Sequence, residues 1–507
     1  MKSKILFWLD SAITPFAIAK GISDNYDAQL YAIIDITDKP KKFFQNQKIV
    51  DFSKIWFYHD HINPRLIPDL NYLTSLEEKN NLNLWELAYN ERLFYNFNKY
   101  RKFTEDEVLS ILEQECKLFE KILDEVKPDY VVMYDTNMHH NHLFYLLCKK
   151  RRVKTLILVA TRLAKRWVVS SLPDNIDFIP QKMQITNPVQ SFLELQTILN
   201  DLGWYKLSVQ INTKFLSSRT GLLKAAFEFL FFNKNTNIST HYSYYGRFKI
   251  RVLFNTIWEV LVTHYRKKFI DSNFVKSPNL AEQYILFTLS QDPERSTLIT
   301  APFYTNQLEV IKSIVKSLPI GYKLFVKEHQ AMASREWRNI SYYNELMNLP
   351  NVVLIHPTVN TIDMIKNASL VISISGTASF ESLFYQVPSI VLSDTSFSMI
   401  PLVHRLRSTE ELPIIIKKLV KNKISDSTEL SEYVQVLMKN TFFFDYDALE
   451  FEFGDLFYMG SFLVDVEIPE EKVVTFLERN KSITQLLGTE FLKKIKSTND
   501  HINDELK

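Results

Sequence analysis

Glycine is scarce in this chain, with 9 in 507 residues. No Gly-x-x-x-x-Gly-Lys phosphate loop and no Gly-x-Ser-x-Gly nucleophile elbow occurs, so two common routes to phosphate and acyl chemistry are excluded. Cysteine is nearly absent. Cys116 and Cys148 make no disulfide framework, and a reducing cytoplasm is the simplest compartment for such a chain. Long apolar runs are missing too. Ala225–Phe232 and Val252–Val262 are too short or too interrupted by charge to span a bilayer, which predicts a protein that is soluble or at most peripheral. The run before Asp10 lacks a signal peptide's apolar stretch and reads as a first strand. A formal net charge of +2 gives no ground for a nucleic-acid partner.

What is present is core-forming material, 46% hydrophobic and 13% aromatic, in a length that implies more than one domain. Up to residue 185 apolar strands alternate with amphipathic helices: strands at Lys4–Leu9, Gln29–Ile36, Ile55–Tyr58, Tyr130–Tyr134 and Lys154–Val159, helices at Pro15–Ile22, Trp85–Lys99, Glu105–Val126 and His140–Lys149. This rhythm predicts a doubly wound sheet. From 186 to 280 it stops. Helical, aromatic-rich segments take over, and Asp201–Ile270 holds eleven Lys/Arg against three acids. Such a basic insertion is either a solvated helical face or a surface for anionic lipid headgroups or an anionic saccharide. The alternation resumes over 281–425, with strands at Tyr284–Leu289, Lys323–Val326, Val352–Ile355, Leu370–Ile374 and Ser389–Leu392, and a helix over Glu336–Met347 among others. Residues 426–507 read as a helical C-terminal extension. The expected fold class is α/β, two Rossmann-like domains facing a cleft, with a helical insertion and a helical C-terminal segment.

The most informative unit is Leu370–Leu392, a buried strand, a Ser375-Gly376-Thr377 hinge, a helix and a second strand. At the carboxyl end of a parallel strand such a hinge faces the ligand crevice. Free N–H groups there suit a phosphate, Gly376 lets the backbone approach, and the Ser375 and Thr377 hydroxyls add donors. Glu381, one turn further, can accept from sugar hydroxyls. The loops Ser290–Thr297 and Lys327-Glu328-His329 end neighbouring strands and open on the same crevice. If the strand continues through them, Lys327 and His329 point the same way and can meet a diphosphate. In the first half Asp10 and Asp135 end strands, and either carboxylate could take a proton from an acceptor hydroxyl. His139, His140 and His142 cluster, and His59 and His61 flank Asp60, yet neither spacing is a familiar metal motif, and no Asp-x-Asp follows a strand within the alternating regions 1–185 and 281–425. No metal and no cofactor are expected.

Tyr284 to Leu392 resembles the bacterial capsule polysaccharide biosynthesis proteins, related to the 3-deoxy-manno-octulosonate (Kdo) transferases of GT-B fold. The resemblance is carried by Gln291-Asp-Pro-Glu-Arg-Ser-Thr297, Tyr304-Thr-Asn-Gln307, Lys327-Glu-His329, and Ser375-Gly-Thr377 with Glu381 and Pro388. One position departs, Gln330 standing where the family has Pro. The resemblance implies a metal-independent transferase that moves a sugar from a nucleotide-sugar donor to a saccharide or lipid-linked acceptor. It implies that His329, with Lys327 beside it, and the Ser375–Thr377 loop bind donor phosphates, Glu381 the ribose, and Gln291 and Glu294 the donor sugar or nucleotide. Arg162, in a Thr161-Arg162 pair similar to one in relatives, would meet an anionic group of the acceptor or donor. The expected location is cytoplasmic, at most peripheral at the inner face of the plasma membrane, and the basic Asp201–Ile270 insertion would meet the membrane surface or export machinery in a docking role. Alternatives on the same residues are a nucleotide-sugar epimerase, a polyol-phosphate transferase, or a non-catalytic export or scaffold protein.

Overall fold

The structure is a computed structural model that describes residues 2–95, 97–178, 188–201, 219–231, 236–333, 337–458, 463 and 465–505. Its first half holds strands β1 (Ser3–Leu9), β2 (Ala28–Ile34), β3 (Phe52–Phe57), β4 (Tyr130–Met133), β5 (Lys154–Ala160) and β6 (Arg166–Ser170). Its second half holds β7 (Tyr284–Thr288), β8 (Lys323–Lys327), β9 (Val352–Ile355), β10 (Leu370–Ser373), β11 (Ser389–Val391) and β12 (Val403–Arg405). A short β13 (Phe442–Phe443) follows near the end of the chain.

The strands assemble into two sheets, ordered β13-β6-β5-β4-β1-β2-β3 and β12-β11-β10-β7-β8-β9. The second is parallel throughout. In its own chain order it reads 3-2-1-4-5-6, the dinucleotide-fold arrangement. The first is parallel from β5 to β3, with β6 and β13 antiparallel at one edge. Helices cover both faces, so central strands are buried on both sides and their sequences are continuous apolar runs, as in β1 and β10. In each sheet the winding reverses between two central neighbours, β1 with β4 and β7 with β10, which opens a crevice at the carboxyl ends there. The expected α/β fold with two Rossmann-like sheets is what forms.

Several elements differ from the reading of the sequence. The helix expected over Trp85–Lys99 runs only from Leu84 to Tyr89. The buried Glu91 carboxylate beyond it accepts from the His139 backbone N–H at 2.7 Å, which ties the chain down in an irregular turn. The helix expected from Glu336 begins at Ile340, because Arg338 is drawn to Glu328 and Asp292; Glu336 itself lies outside the described residues.

The described part of the 186–280 segment is helical, at Phe192–Asp201, Arg219–Phe231, Asn237–Thr240 and Lys249–Asn273. The basic residues Lys206, Lys214 and Lys234 lie outside the described residues. The segment is not a separate unit. Tyr242 is buried in the first-half core, 2.8 Å from the Tyr58 hydroxyl, and Ile270 and Phe274 are buried in the second-half core.

The segment from 426 onward is not a detached extension either. Helix Thr428–Asn440 sinks Leu430, Tyr433, Val434 and Leu437 into a core that also holds Trp8 and Phe119 of the first half and Phe380 and Phe397 of the second. The chain then crosses back, adds β13 to the edge of β6, and packs helices Tyr446–Phe457, Glu470–Arg479 and Lys481–Glu505 onto the first half.

Two of the few glycines set that return. A Cβ on Gly488 would lie 2.4 Å from the Gly21 carbonyl carbon, and one on Gly21 would lie 2.3 Å from the Thr484 carbonyl oxygen. The helices Ile13–Ser23 and Lys481–Glu505 thus cross backbone against backbone. Gly488→Ala must push them apart, so we expect a loss of roughly 1–3 kcal/mol or more in denaturant unfolding. An unchanged midpoint would show that the crossing is not made in solution.

Candidate functional site

The carboxyl ends of both sheets meet across a cleft of about 360 Å³. Loops after β4, β5 and β6 contribute Asp135, Arg162 and Asp174, and loops after β7, β10 and β11 contribute Glu294, Arg295, Ser375 and Asp394. The loops after β4, β5, β7, β10 and β11 lie there because parallel strands place their carboxyl ends on one edge, whereas Asp174 arrives on the segment after the antiparallel strand β6. The volume and the mixture of carboxylates, cations and hydroxyls suit a polar small molecule.

Arg295 joins the two halves at the cleft. It rises from the loop after β7 and donates from Nε to the Thr136 carbonyl at 3.0 Å, and from Nη2 to Thr136 Oγ1 at 2.8 Å and Asp174 Oδ2 at 3.0 Å. Its Nη1 pairs with Asp174 Oδ1 and donates to Thr300 Oγ1 at 3.0 Å, and Asp135 lies 3.2 Å from Nε. The fork geometry of a guanidinium is what allows this many directed bonds. Burial pushes the Asp174 carboxyl up, but the bonds and charge of Arg295 outweigh it and hold the carboxyl below its ordinary range. Burial, with the Arg295 charge nearby, drives the His142 pKa down to about 3, so that imidazole is neutral. Ser396 Oγ makes a second bridge, donating to the Thr161 carbonyl at 3.3 Å.

Of the residues singled out in the sequence, the structure brings Asp135, Arg162, Glu294 and Ser375 to the cleft wall. Arg162 is exposed and has φ +66°. Asp10 stands at the end of β1, beside β4, and accepts from the Ala12 N–H at 2.8 Å. Burial raises its pKa to about 7 against that hydrogen bond, and the charges of Asp35, Glu450 and Asp135 add to the rise.

The Gly376 N–H donates to Ser373 Oγ at 3.0 Å, and a Cβ there would sit 3.2 Å from Ser373 Cβ. Thr377 is half-buried, and its carbonyl starts the helix Ala378–Phe384 by accepting from Glu381 at 2.8 Å. Glu381 has no side-chain hydrogen bond among the described residues, and burial raises its pKa to about 7.

Asp10, Gly376, Thr377 and Glu381 are not among the residues lining the cleft, and neither are Gln291, Lys327 and His329. Gln291 is buried. Lys327 is 3% exposed and donates to the Pro357 carbonyl at 3.1 Å, and burial lowers its pKa to about 8. His329 is exposed, and its Nδ1 accepts from the Ala331 N–H at 3.2 Å. The expectation that Lys327 and His329 point the same way is not met. β8 ends at Lys327, so the two-residue alternation stops before His329. The intervening Glu328 is fixed by Arg338, by the Tyr343 hydroxyl at 2.7 Å and by the His329 backbone N–H at 2.8 Å.

The histidines of the first half form a buried network. His139 lies between carboxylates, Nδ1 3.0 Å from Glu91 and Nε2 3.0 Å from Glu115. Burial works against its charge, but Glu115 and Glu91 raise its pKa to about 10, making it an imidazolium at neutral pH. Glu115, His139 and His140 could present ligand atoms within 4.8 Å of one another. Both His139 nitrogens already face carboxylates, and His140 Nε2 pairs with Asp35 at 2.8 Å, so the group is accounted for as a charged hydrogen-bond network. His61 stands outside this network, exposed at the end of a short 3₁₀ turn after β3.

Residues 210–426 match the family model described as capsule polysaccharide biosynthesis protein, so the resemblance carried by the motifs holds over the second half and part of the insertion. No curated protein matches the chain. Among solved structures it is similar to the Thermosulfurimonas dismutans KpsC β-Kdo 2,7 transferase, at 14% identity, covering 67% of this chain and 89% of that one, with a TM-score of 0.30. It is also similar to the Methanocaldococcus jannaschii UDP-GlcNAc 2-epimerase in complex with UDP-GlcNAc and UDP, at 13% identity, covering 86% of this chain and 99% of that one, with a TM-score of 0.27. Likenesses this distant carry no weight on substrate.

Sequence reasoning quoted Arg295 within a motif but gave it no role, and passed over Asp174. The available signal was an Arg in the loop after the central strand of the second sheet. Its partner lies 121 residues away in another loop, beyond any local pattern. Arg295→Ala removes the guanidinium donors to Thr136 and Asp174 and leaves Asp174 with the Thr300 hydroxyl at 2.8 Å. We expect a loss of about 1–3 kcal/mol in unfolding free energy, and a larger radius of gyration by small-angle scattering as the halves part. A variant as compact and stable as wild type would show that the clamp is not formed.

Proposed function

We propose that the chain is a glycosyltransferase of capsule or other surface polysaccharide assembly, moving a sugar from a nucleotide-sugar donor to a saccharide or lipid-linked acceptor. One observation carries this reading: a single polar cleft is lined from the carboxyl edges of both Rossmann-like sheets, so two substrates can be held face to face. The match of residues 210–426 to the capsule biosynthesis family supports it.

In this reading the donor lies against the second half. Its phosphates approach the Ser375 and Thr377 backbone, the Gly376 N–H being held by Ser373 Oγ, with Arg162 reaching across from the first half to meet negative charge as it develops on the leaving group. In this reading these groups take up that charge without a resident metal. Glu381, free of protein partners among the described residues, accepts from a ribose hydroxyl. Glu294 faces the transferred sugar, and Gln291 braces the loop that carries it. Lys327 and His329 act at longer range, through the loop after β8.

The acceptor lies against the first half. Asp10, with a pKa raised to about 7, is the base. It takes the proton of the acceptor hydroxyl as that oxygen bonds to the anomeric carbon and the bond from that carbon to the donor phosphate breaks. Asp135, paired with Arg295, holds the acceptor in line.

The test is turnover of a panel of nucleotide sugars with and without oligosaccharide acceptors. Asp10→Asn should lower kcat by roughly 10²–10⁴-fold. Because the base works deprotonated, wild-type activity should rise with pH through about 7. Donor conversion with no acceptor present would favour an epimerase. No conversion of any donor, together with full nucleotide indifference in a thermal-shift screen, would favour a non-catalytic export or scaffold role.

A further inference from the structure

The helix Lys249–Asn273 turns its apolar stripe outward. Ile250, Phe254, Trp258, Leu261 and Tyr265 recur at helical spacing and are 69%, 69%, 65%, 60% and 66% exposed. At 25 residues the helix is about 37 Å long, so the stripe is extended. Phe227 and Phe231 on the helix Arg219–Phe231, whose Leu230 carbonyl accepts from Lys249 Nζ at 2.8 Å, continue the apolar surface. A water-facing helix of a globular protein ordinarily carries the opposite pattern, and an exposed patch of this kind marks an interaction surface.

Both ends of the helix are anchored. Arg251 donates to the Lys99 carbonyl at 3.2 Å, and Lys99 pairs with Glu259 at 2.9 Å, which fixes the N-terminal part to the first half. At the other end Ile270 is buried in the second-half core, and Asp271 pairs with His356 at 3.0 Å. The stripe is therefore held in place against both halves.

Charge identifies the occupant. From 247 to 273 the chain has six Lys/Arg against two acids, and Lys267 and Lys268 are exposed just beyond the stripe. A second copy docked on the same face would bring two basic surfaces together. Anionic lipid headgroups complement them, while Trp258 and Tyr265 suit the boundary between headgroup and acyl chain. No helix among the described residues is long and apolar enough to cross a membrane, so the helix would lie in the interface plane. We propose that Lys249–Asn273 docks the protein on an anionic bilayer surface, its apolar stripe immersed and its basic ends on the headgroups. This is independent of the sugar-transfer reading.

The experiment is co-sedimentation of the full chain with phosphatidylglycerol/phosphatidylcholine vesicles and with phosphatidylcholine alone, at low and high salt. Wild type should bind the anionic vesicles, bind the neutral ones more weakly, and lose affinity with salt. Trp258→Ser with Leu261→Ser should weaken partitioning by about 10-fold or more, and Lys268→Glu should reduce the preference for anionic lipid. These side chains are exposed, so melting curves should match wild type and separate lost binding from lost folding. No binding of wild type to anionic vesicles would overturn the proposal, as would variants that bind as wild type does. A dimer dissolved by Trp258→Ser and Leu261→Ser, with no vesicle binding, would assign the stripe to a second copy.

Discussion

Arg295 extends its guanidinium from the second sheet's central loop into the first half, where Thr136, Asp174 and Asp135 receive it. The cleft is defined by that contact. Its walls come from loops with no covalent continuity, and their spacing depends on what bridges them. A partly buried ion pair gains little net stability, because desolvation offsets attraction, but it is directional. Five N–H groups in one plane fix orientation as well as distance. Orientation matters for the proposed reaction, since a transfer between two bound substrates would require both faces of the cleft to be in register.

Apolar packing on the far side supports the same geometry. Thr428–Asn440 fills a core shared by both halves, and the chain then returns to the first half through β13 and the close crossing at Gly21 and Gly488. The Lys249–Asn273 helix is a further strut, seated in the first half at Lys99 and in the second at Ile270. The halves are thus joined by a polar clamp at the cleft and apolar connections behind it. Polar contacts reform easily in water, whereas the apolar connections hold the two sheets together. This division suits a cleft that must open for substrates without the protein coming apart.

The sheets were legible because parallel strands covered on both faces read as apolar runs, as Leu370–Ser373 and Tyr284–Thr288 do. The side of each sheet that bears the site was legible for the same reason, since strand ends locate the crevice, and Asp135, Glu294 and Ser375 are found there. Three kinds of feature were not. Edge strands such as Arg166–Ser170 and the two-residue Phe442–Phe443 are too short or too polar to stand out. Contacts between distant segments, such as Arg295 with Asp174 and Gly21 with Gly488, leave no local trace. Strand termini are poorly fixed by sequence, and a stop at Lys327 sends its amine into a buried bond with Pro357 while His329 remains in water. The basic, aromatic character of the insertion was visible, but not that its long helix would turn its apolar side away from the core.

The most direct test of the central claim is a crystal structure of the protein with the nucleoside diphosphate that stabilises it most. The account predicts a diphosphate within hydrogen-bond distance of the Ser375 and Thr377 backbone, in the cleft that Asp135 lines from the opposite side. A nucleotide bound on another surface, with this cleft holding only solvent, would contradict it.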